Sequence, residues 1–317
     1  MVSRVFIDGA AGTTGLEIHE RLTARGDLEV VRLADTDRKN PRARADALNE
    51  ADLAILCLPD EAALEAVALI ANPSVRVIDA STAHRVAEGW AYGFPELEPG
   101  QRAKIAAARF VSNPGCYPTG FLALIRPLVR GGLIPAEFPL TTNAVSGYSG
   151  GGRAMIEEFE NKGSPAYVET IVRTYALALA HKHVPEMHVH SGLKHPPVFA
   201  PNVGRFYRGM IVEVPLQLWA LPGRPTAAAI HQAIAQAYRG EKLIEVAPLT
   251  EGSMLKSLDV EMLKNTNGMK LYVFGNDKHG QARLVAVLDN LGKGASGAAV
   301  QNLNIMLGLP ETTGLVR

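Results

Sequence analysis

Two rhythms follow one another along the chain. In the first 115 residues, short apolar runs at 5–8, 28–33, 53–58 and 75–79 read as β-strands, with a further one near Phe110-Val111. Between them, residues 14–25 place Leu16, Ile18 and Leu22 at helical spacing among polar neighbours, and 61–71 is an alanine-rich helix. Such alternation predicts a parallel sheet with right-handed crossovers and helices on both faces, an α/β architecture. The rhythm then changes. After a helix over 118–130 come longer strand candidates at 140–146, 205–218, 270–274 and 281–288, with helices at 226–239 and 295–307. Long strands with sparse helices predict an α+β second half, its sheet antiparallel or mixed and covered on one side. The expected division is a first domain over 1–115 and a second over 116–293, the last helix (about 294–310) returning to the first domain.

The segment at that division carries the most telling residue. In Ser112-Asn113-Pro114-Gly115-Cys116-Tyr117-Pro118-Thr119-Gly120, turn residues stop and an apolar helical stretch begins. Pro118 suits a first helical turn, which sets Cys116 at or just before the helix N-terminus. Backbone N–H groups and the positive end of the helix dipole favour thiolate over thiol there. The thiolate is the nucleophile, and the same N–H groups could hold an oxyanion on the carbon it attacks. The alternative is a structural cysteine; the Pro-Gly before it and the Tyr-Pro-Thr after it favour the nucleophile.

Directly after the first strand stands Gly9-Ala10-Ala11-Gly12-Thr13-Thr14-Gly15, opening a helix. Glycines in that place let the backbone turn tightly and approach a pyrophosphate, which the helix N-terminus stabilises. The spacing is G-x-x-G-x-x-G, so its position after strand one carries the argument for a dinucleotide site. At the end of strand two, Asp35 lies where an acid could bind a ribose 2′-hydroxyl, but Arg38 and Lys39 follow at once and Arg42 and Arg44 are near. A 2′-phosphate needs such cations, and the balance favours NADP over NAD.

Five of the nine histidines fall between 181 and 195. In His181-Lys182-His183-Val184-Pro185-Glu186, one histidine can serve as general acid/base with Glu186 orienting it. The H-x-H pairs, continued by His188 and His190, also invite a metal reading. A helix starting at 185 would divide the pairs between two elements and weakens it, so no metal site is expected. Two glycine-rich segments, Ser146-Gly147-Tyr148-Ser149-Gly150-Gly151-Gly152-Arg153 and Asp289-Asn290-Leu291-Gly292-Lys293-Gly294-Ala295-Ser296-Gly297, either admit a ligand close to the backbone or are plain turns.

Composition narrows the field. Lys+Arg and Asp+Glu are both 32, so no basic footprint for nucleic acid or an anionic membrane surface is visible. The apolar runs are of strand length, and Met1-Val2-Ser3-Arg4 leads into a strand without a signal-peptide pattern. Cys57 and Cys116 are the two cysteines, too few for a disulfide framework, and Cys57 sits in an apolar strand pattern as a structural residue. A cytoplasmic protein is expected.

Taken in order, the segments resemble the N-acetyl-γ-glutamyl-phosphate reductases of arginine biosynthesis, in their shorter form. The resemblance rests on Gly9 to Gly15, Gly93-Phe94-Pro95-Glu96-Leu97, Asn113 to Thr119, Ser146 to Arg153, His181 to Glu186, and Lys293-Gly294-Ala295 through Gln301-Asn302 to Met306-Leu307-Gly308. It implies a Rossmann-type NADP-binding domain and an α+β catalytic domain of the aspartate-semialdehyde dehydrogenase kind. By position it implies Cys116 as catalytic cysteine, His183 or His181 as acid/base with Glu186, and Gly9, Gly12, Thr13, Thr14 and Gly15 as the cofactor loop. Ser146, Gly147 and Asn290 fall where the family approaches the nicotinamide, and His188 and His190 receive no role. The implied reaction takes an acyl phosphate through a Cys116 thioester to an aldehyde, with NADP(H) as cofactor and inorganic phosphate released. A cation is needed for the substrate carboxylate, Arg208 or Arg153. A homodimer or homotetramer is expected. Rivals are a relative acting on aspartyl phosphate, or on a carrier-bound aminoadipyl phosphate that would call for a basic patch, and a non-catalytic NADP-binding regulator. The segment around Cys116 argues against the aspartate enzyme.

Overall fold

The computed structural model describes residues 2–317 except Ala11, Asp35 and Lys39, and except the Ser253 side chain. The chain forms two compact units. The first comprises 1–95, 100–115 and 295–315; the second comprises 96–99, 116–294 and 316–317.

In the first unit, strands and helices alternate: β1 (Ser3–Asp8), α1 (Thr13–Thr23), β2 (Leu28–Val31), α2 (Pro41–Glu50), β3 (Leu53–Leu56), α3 (Asp60–Ala68), β4 (Arg76–Asp79), β5 (Ala91–Tyr92), α4 (Gln101–Ala107) and β6 (Phe110–Ser112). The sheet is parallel throughout, in the order β2-β1-β3-β4-β6-β5. Both faces are buried, which is why the strands read as unbroken apolar runs. Val5, Ile7 and Ile55 pack with Ile18 and Leu22 of α1 on one face. Phe6, Ala54 and Leu56 pack with Leu48 of α2 and Ala66 of α3 on the other. Each such fully buried Leu, Ile or Phe contributes roughly 1.5–3 kcal/mol. Because β1 lies between β2 and β3, the crossovers change direction there, the switch point at which open α/β sheets take ligands. Helix α2 was not foreseen; Asn40 caps it by accepting from the Arg42 and Ala43 N–H groups, and Pro41 starts it.

The second unit runs α5 (Cys116–Arg130), β7 (Thr141–Gly147), α6 (Gly152–Glu160), β8 (Val172–Thr174), α7 (Val184–Ser191), β9 (Val198–Gly204), β10 (Met210–Gln217), α8 (Ala227–Ala237), β11 (Ile244–Val246), α9 (Leu249–Met254), β12 (Met269–Asn276) and β13 (Gln281–Leu288). Its seven strands lie in the order β11-β12-β13-β10-β7-β9-β8. The sheet is mixed: β7 pairs parallel with β9 and β11 with β12, the rest antiparallel. Helix α5 lies on β10 and β13, flanked by α7 and α8. On the other face Tyr272, Val285 and Val287 pack with Leu258 and Leu263, so that face is partly covered too. Of the strand expected over 205–218, residues 210–217 form β10; 205–209 is a turn that ends at Gly209 (φ 120°), and β9 before it was not foreseen. The last helix, α10 (Gly297–Met306), belongs to the first unit, where Ala299, Val300, Leu303 and Met306 join the α1 side of the core.

Candidate active site

Cys116 is the first residue of α5. It is half-buried, and the next residue's ring organises the surroundings. Tyr117 lies 6.0 Å from the His181 ring, 5.8 Å from His183 and 5.0 Å from Phe199, centroid to centroid. The two imidazoles are 4.8 Å apart. His181 sits in the loop before α7, and its Nδ1 accepts the His183 N–H at 3.1 Å, which leaves its Nε2 as the protonated position of the neutral ring. His183 caps α7 and is buried, its Nε2 4.0 Å from Oε1 of the buried Glu186. His188 and His190 lie within α7, and His195 is exposed beyond it. Among the described residues, no group of three or more His, Cys, Asp or Glu side chains could hold a metal ion.

Two hydroxyls stand beside the thiol. Tyr175 donates to the Tyr117 hydroxyl at 3.0 Å, and Tyr117 donates to the Asn202 carbonyl at 3.3 Å. Burial first, then the neighbouring Tyr175 and Cys116, raises Tyr117 well above the usual tyrosine range. Burial likewise pushes Tyr175 up to about 12. Both remain protonated donors throughout the neutral range. Ser146, near the end of β7, is buried, and its hydroxyl donates to the Gly147 carbonyl at 3.2 Å.

The segment around Asn290 is built as a turn on Asp289. That buried carboxylate accepts from the N–H groups of Leu291 (2.8 Å) and Gly292 (3.1 Å) and pairs with Arg208 at 2.9 Å. Asn290 accepts from Gly209 N–H and donates to Ser149, both at 2.9 Å, tying together the two glycine-rich segments. Lys293 is fully buried against Glu96, its Nζ 2.7 and 2.9 Å from the two carboxylate oxygens. Arg153 is exposed on α6. Of the two arginines considered for the substrate carboxylate, Arg208 is therefore engaged by Asp289 and Arg153 lies open to solvent.

The first unit holds a cavity of about 530 Å³ at the switch point, lined by Asp8, Gly9, Gly12, Arg38, Arg44 and Cys57 among others. The three glycines of the loop fall into different physical roles. Gly9 has φ 87°, and a Cβ there would stand 2.3 Å from the Cys57 carbonyl oxygen. At Gly15 a Cβ would stand 2.5 Å from the Gly9 carbonyl oxygen, so the absence of a side chain lets α1 close on the loop. Gly12 is not demanded by the protein's own packing: its Cβ would meet only Gly9 O at 3.6 Å. That is the division expected of a dinucleotide loop, where the middle glycine clears space for pyrophosphate. Gly12 caps α1, and Thr13 and Thr14 form its first turn. Arg44, on α2, donates to the Asp8 carboxylate at 2.8 Å, which turns that acid to a cation-holding role. Lys39 and Asp35, expected to read the ribose, lie outside the described residues. Cys57 follows β3 and borders this cavity, partly buried against the α1 side of the core.

Comparison with known proteins settles the family. A model of the semialdehyde dehydrogenase NAD-binding domain matches residues 4–106, and one of the semialdehyde dehydrogenase dimerisation domain matches 116–290. N-acetyl-gamma-glutamyl-phosphate reductase 2 of Nostoc sp. is 56% identical, covering 98% of this chain and 99% of the relative. N-acetyl-gamma-glutamyl-phosphate reductase of Brucella ovis is 54% identical over 97% of this chain and 100% of the relative. The chain belongs to the N-acetyl-gamma-glutamyl-phosphate reductase family. Aspartate semialdehyde dehydrogenase II of Vibrio cholerae superposes with a TM-score of 0.73 at 15% identity, over 97% of this chain and 99% of that one. The Candida albicans enzyme solved with NADP gives 0.67 at 13%, over 96% and 99%. At such identities the likeness concerns the fold alone.

Within this reductase chain, some residues around Cys116 carried no role in the sequence reading. Tyr175, Asp289, Glu96 and Lys293 are such residues. Glu96 and Lys293 were part of the resemblance, but nothing in a linear sequence joins two residues 197 positions apart. In the first unit, Asp79 at the end of β4 gathers Ser81 and His84, each at 2.6 Å. The serine hydroxyl bonds to the acid and not to the histidine, so this trio is no nucleophile relay. No described helix is long and apolar enough to cross a membrane.

Proposed function

We propose that the chain reduces N-acetyl-γ-glutamyl phosphate to N-acetylglutamate 5-semialdehyde through a thioester on Cys116, within arginine biosynthesis. The observation that carries this reading is Cys116 at the head of α5, with His181, His183 and buried Glu186 gathered around the adjoining Tyr117 ring. The Cys116 thiolate attacks the acyl carbon and a new C–S bond forms. N–H groups of the first turn of α5 stabilise the tetrahedral oxyanion, which collapses with loss of inorganic phosphate. A thioester accepts hydride more readily than a carboxylate does, and the thiolate remains a good leaving group. NADPH, held at the glycine loop, supplies the hydride that takes the acyl group to the aldehyde level. The tetrahedral oxyanion then re-forms the carbonyl as the C–S bond breaks, and His183, oriented by Glu186, gives its proton to the departing Cys116 sulfur. His181 packs against His183 and keeps its ring oriented.

Gly9, Gly12, Thr13, Thr14 and Gly15 hold the pyrophosphate, and Arg38 with Lys39 reads the 2′-phosphate. Ser146, Gly147 and Asn290 shape the nicotinamide side of the thioester. Arg208, which Asp289 and Asn265 hold in place, or Arg153 on α6 supplies the cation for the substrate carboxylate. The molecule works in the cytoplasm as a homodimer or homotetramer, which the match to a dimerisation domain supports.

The test runs the reaction backwards. Purified protein is given N-acetylglutamate semialdehyde, NADP and phosphate, with aspartate semialdehyde and the Cys116→Ser variant alongside. Phosphate-dependent NADPH formation with the first substrate is expected, with loss of about three orders of magnitude or more in the serine variant. Near-normal turnover in Cys116→Ser would refute the thioester, and activity with aspartate semialdehyde instead would refute the substrate.

A further inference from the structure

We infer that the buried Lys293–Glu96 ion pair positions the Cys116 nucleophile, an inference that rests on the thioester reading above. Lys293 Nζ spans both oxygens of Glu96, and the two side chains are 2% and 0% exposed. Withdrawing both charges from water is costly, and a Met facing a Leu would fill the space without that cost. What the ions add is direction, because an ammonium shared between two carboxylate oxygens fixes both length and angle.

The next residue shows what is being directed. A Cβ on Gly294 would stand 2.7 Å from Cys116 Cβ and 3.2 Å from its Cα, so this backbone lies as near the nucleophile as contact allows. The stretch is one wide turn of π-helical geometry starting at Gly292, a form frequent at functional sites. One side of it is fixed by Asp289, whose carboxylate takes the Leu291 and Gly292 N–H groups and whose carbonyl takes that of Gly294 at 3.0 Å. Lys293 provides the second anchor. Two residues beyond Glu96, Glu98 accepts from Arg126 of α5 at 2.6 Å, so the segment that carries Glu96 is tied to the helix that begins with Cys116. Lys293 joins that segment to the turn packed on the cysteine.

Three variants test this: Glu96→Gln, Lys293→Met, and Glu96→Leu combined with Lys293→Met. Melting temperature, steady-state constants and the rate of Cys116 alkylation by iodoacetamide are measured, the last located by mass spectrometry and independent of turnover. The single variants are expected to melt lower, and the double variant to recover much of that loss. In all three, kcat falls by about ten- to a hundredfold with KM within about threefold, as a displaced nucleophile requires. The alkylation rate changes by about fivefold or more in the same variants. A folded double variant with kcat within about threefold of the parent and an unchanged alkylation rate would reduce the pair to core filling. If the double variant does not fold, the isosteric Glu96→Gln decides by the same criteria. Failure of the thioester reading looks different: Cys116→Ser would then retain turnover whatever the pair does.

Discussion

If Arg38 reads the 2′-phosphate as proposed, cofactor choice turns on it. It lines the cavity at the switch point together with Arg32 and Arg44. A 2′-phosphate brings about two negative charges into that space, and a guanidinium answers them with paired charge-assisted bonds. A bare 2′-hydroxyl gains little from the same group. Arg38→Ala is therefore expected to weaken NADP binding by about ten- to a hundredfold while leaving NAD within about threefold. Titration of both cofactors against intrinsic fluorescence checks it, and equal losses would show that Arg38 does not read the phosphate. At this scale the sequence was informative because the relevant residues were neighbours: Cys116 in its turn, the histidines and Glu186 within six positions. It was silent on Tyr175 and Lys293, whose meaning comes only from partners 58 and 197 residues away.

The loop between β1 and α1 is an element whose three glycines can be separated by experiment. Gly12→Ala puts a methyl group into space that the protein leaves open, and its φ of −78° suits alanine. Its melting temperature should stay within about 2 °C of the parent, while NADP affinity drops by about tenfold or more, because the methyl group meets the pyrophosphate. Gly15→Ala drives a methyl group to 2.5 Å from the Gly9 carbonyl and forces α1 away from β1. That overpacking costs about 1–3 kcal/mol and should lower both stability and affinity. A Gly12→Ala protein that melts well below the parent would show this glycine to be structural. Elements with strong apolar periodicity, such as α1, β4 and β13, stood out in the sequence. Helix α2 did not, since Leu48 is its single buried residue and charge dominates the rest. Strand β9 was missed because Pro201 and Gly204 interrupt its apolar pattern, and the strand expected from 205 begins only at Met210, after a turn that a positive φ at Gly209 ends.

At the scale of the whole molecule, the titratable groups that folding buries make stability fall on the alkaline side. Burial, followed by the charges of Asp79 and Asp8, pushes the Cys57 thiol up to about 12. Burial raises Tyr175 to about 12 as well, and the same cause raises Tyr117 and Tyr238. In the unfolded chain the thiol ionises near pH 8.5 and the phenols near pH 10, at their ordinary values (about 8.5 and 10). The folded state therefore holds more protons than the unfolded one throughout the interval between those values and about 12, and unfolding becomes easier as pH rises through it. Stability from these groups is fully present below about pH 8.5 and is lost progressively up to about pH 12. The groups belong to both units: Cys57 lies in the first, the three tyrosines in the second. Thermal melts from pH 7 to 11 should show a plateau and then a steepening decline. Cys57→Ala should flatten only the part that begins near pH 8.5 (about one proton's worth), and Tyr175→Phe only the part above about pH 10. A melting temperature that stays level to pH 11, or a Cys57→Ala protein whose decline is unchanged, would show that the thiol ionises in the folded state as readily as in the unfolded one.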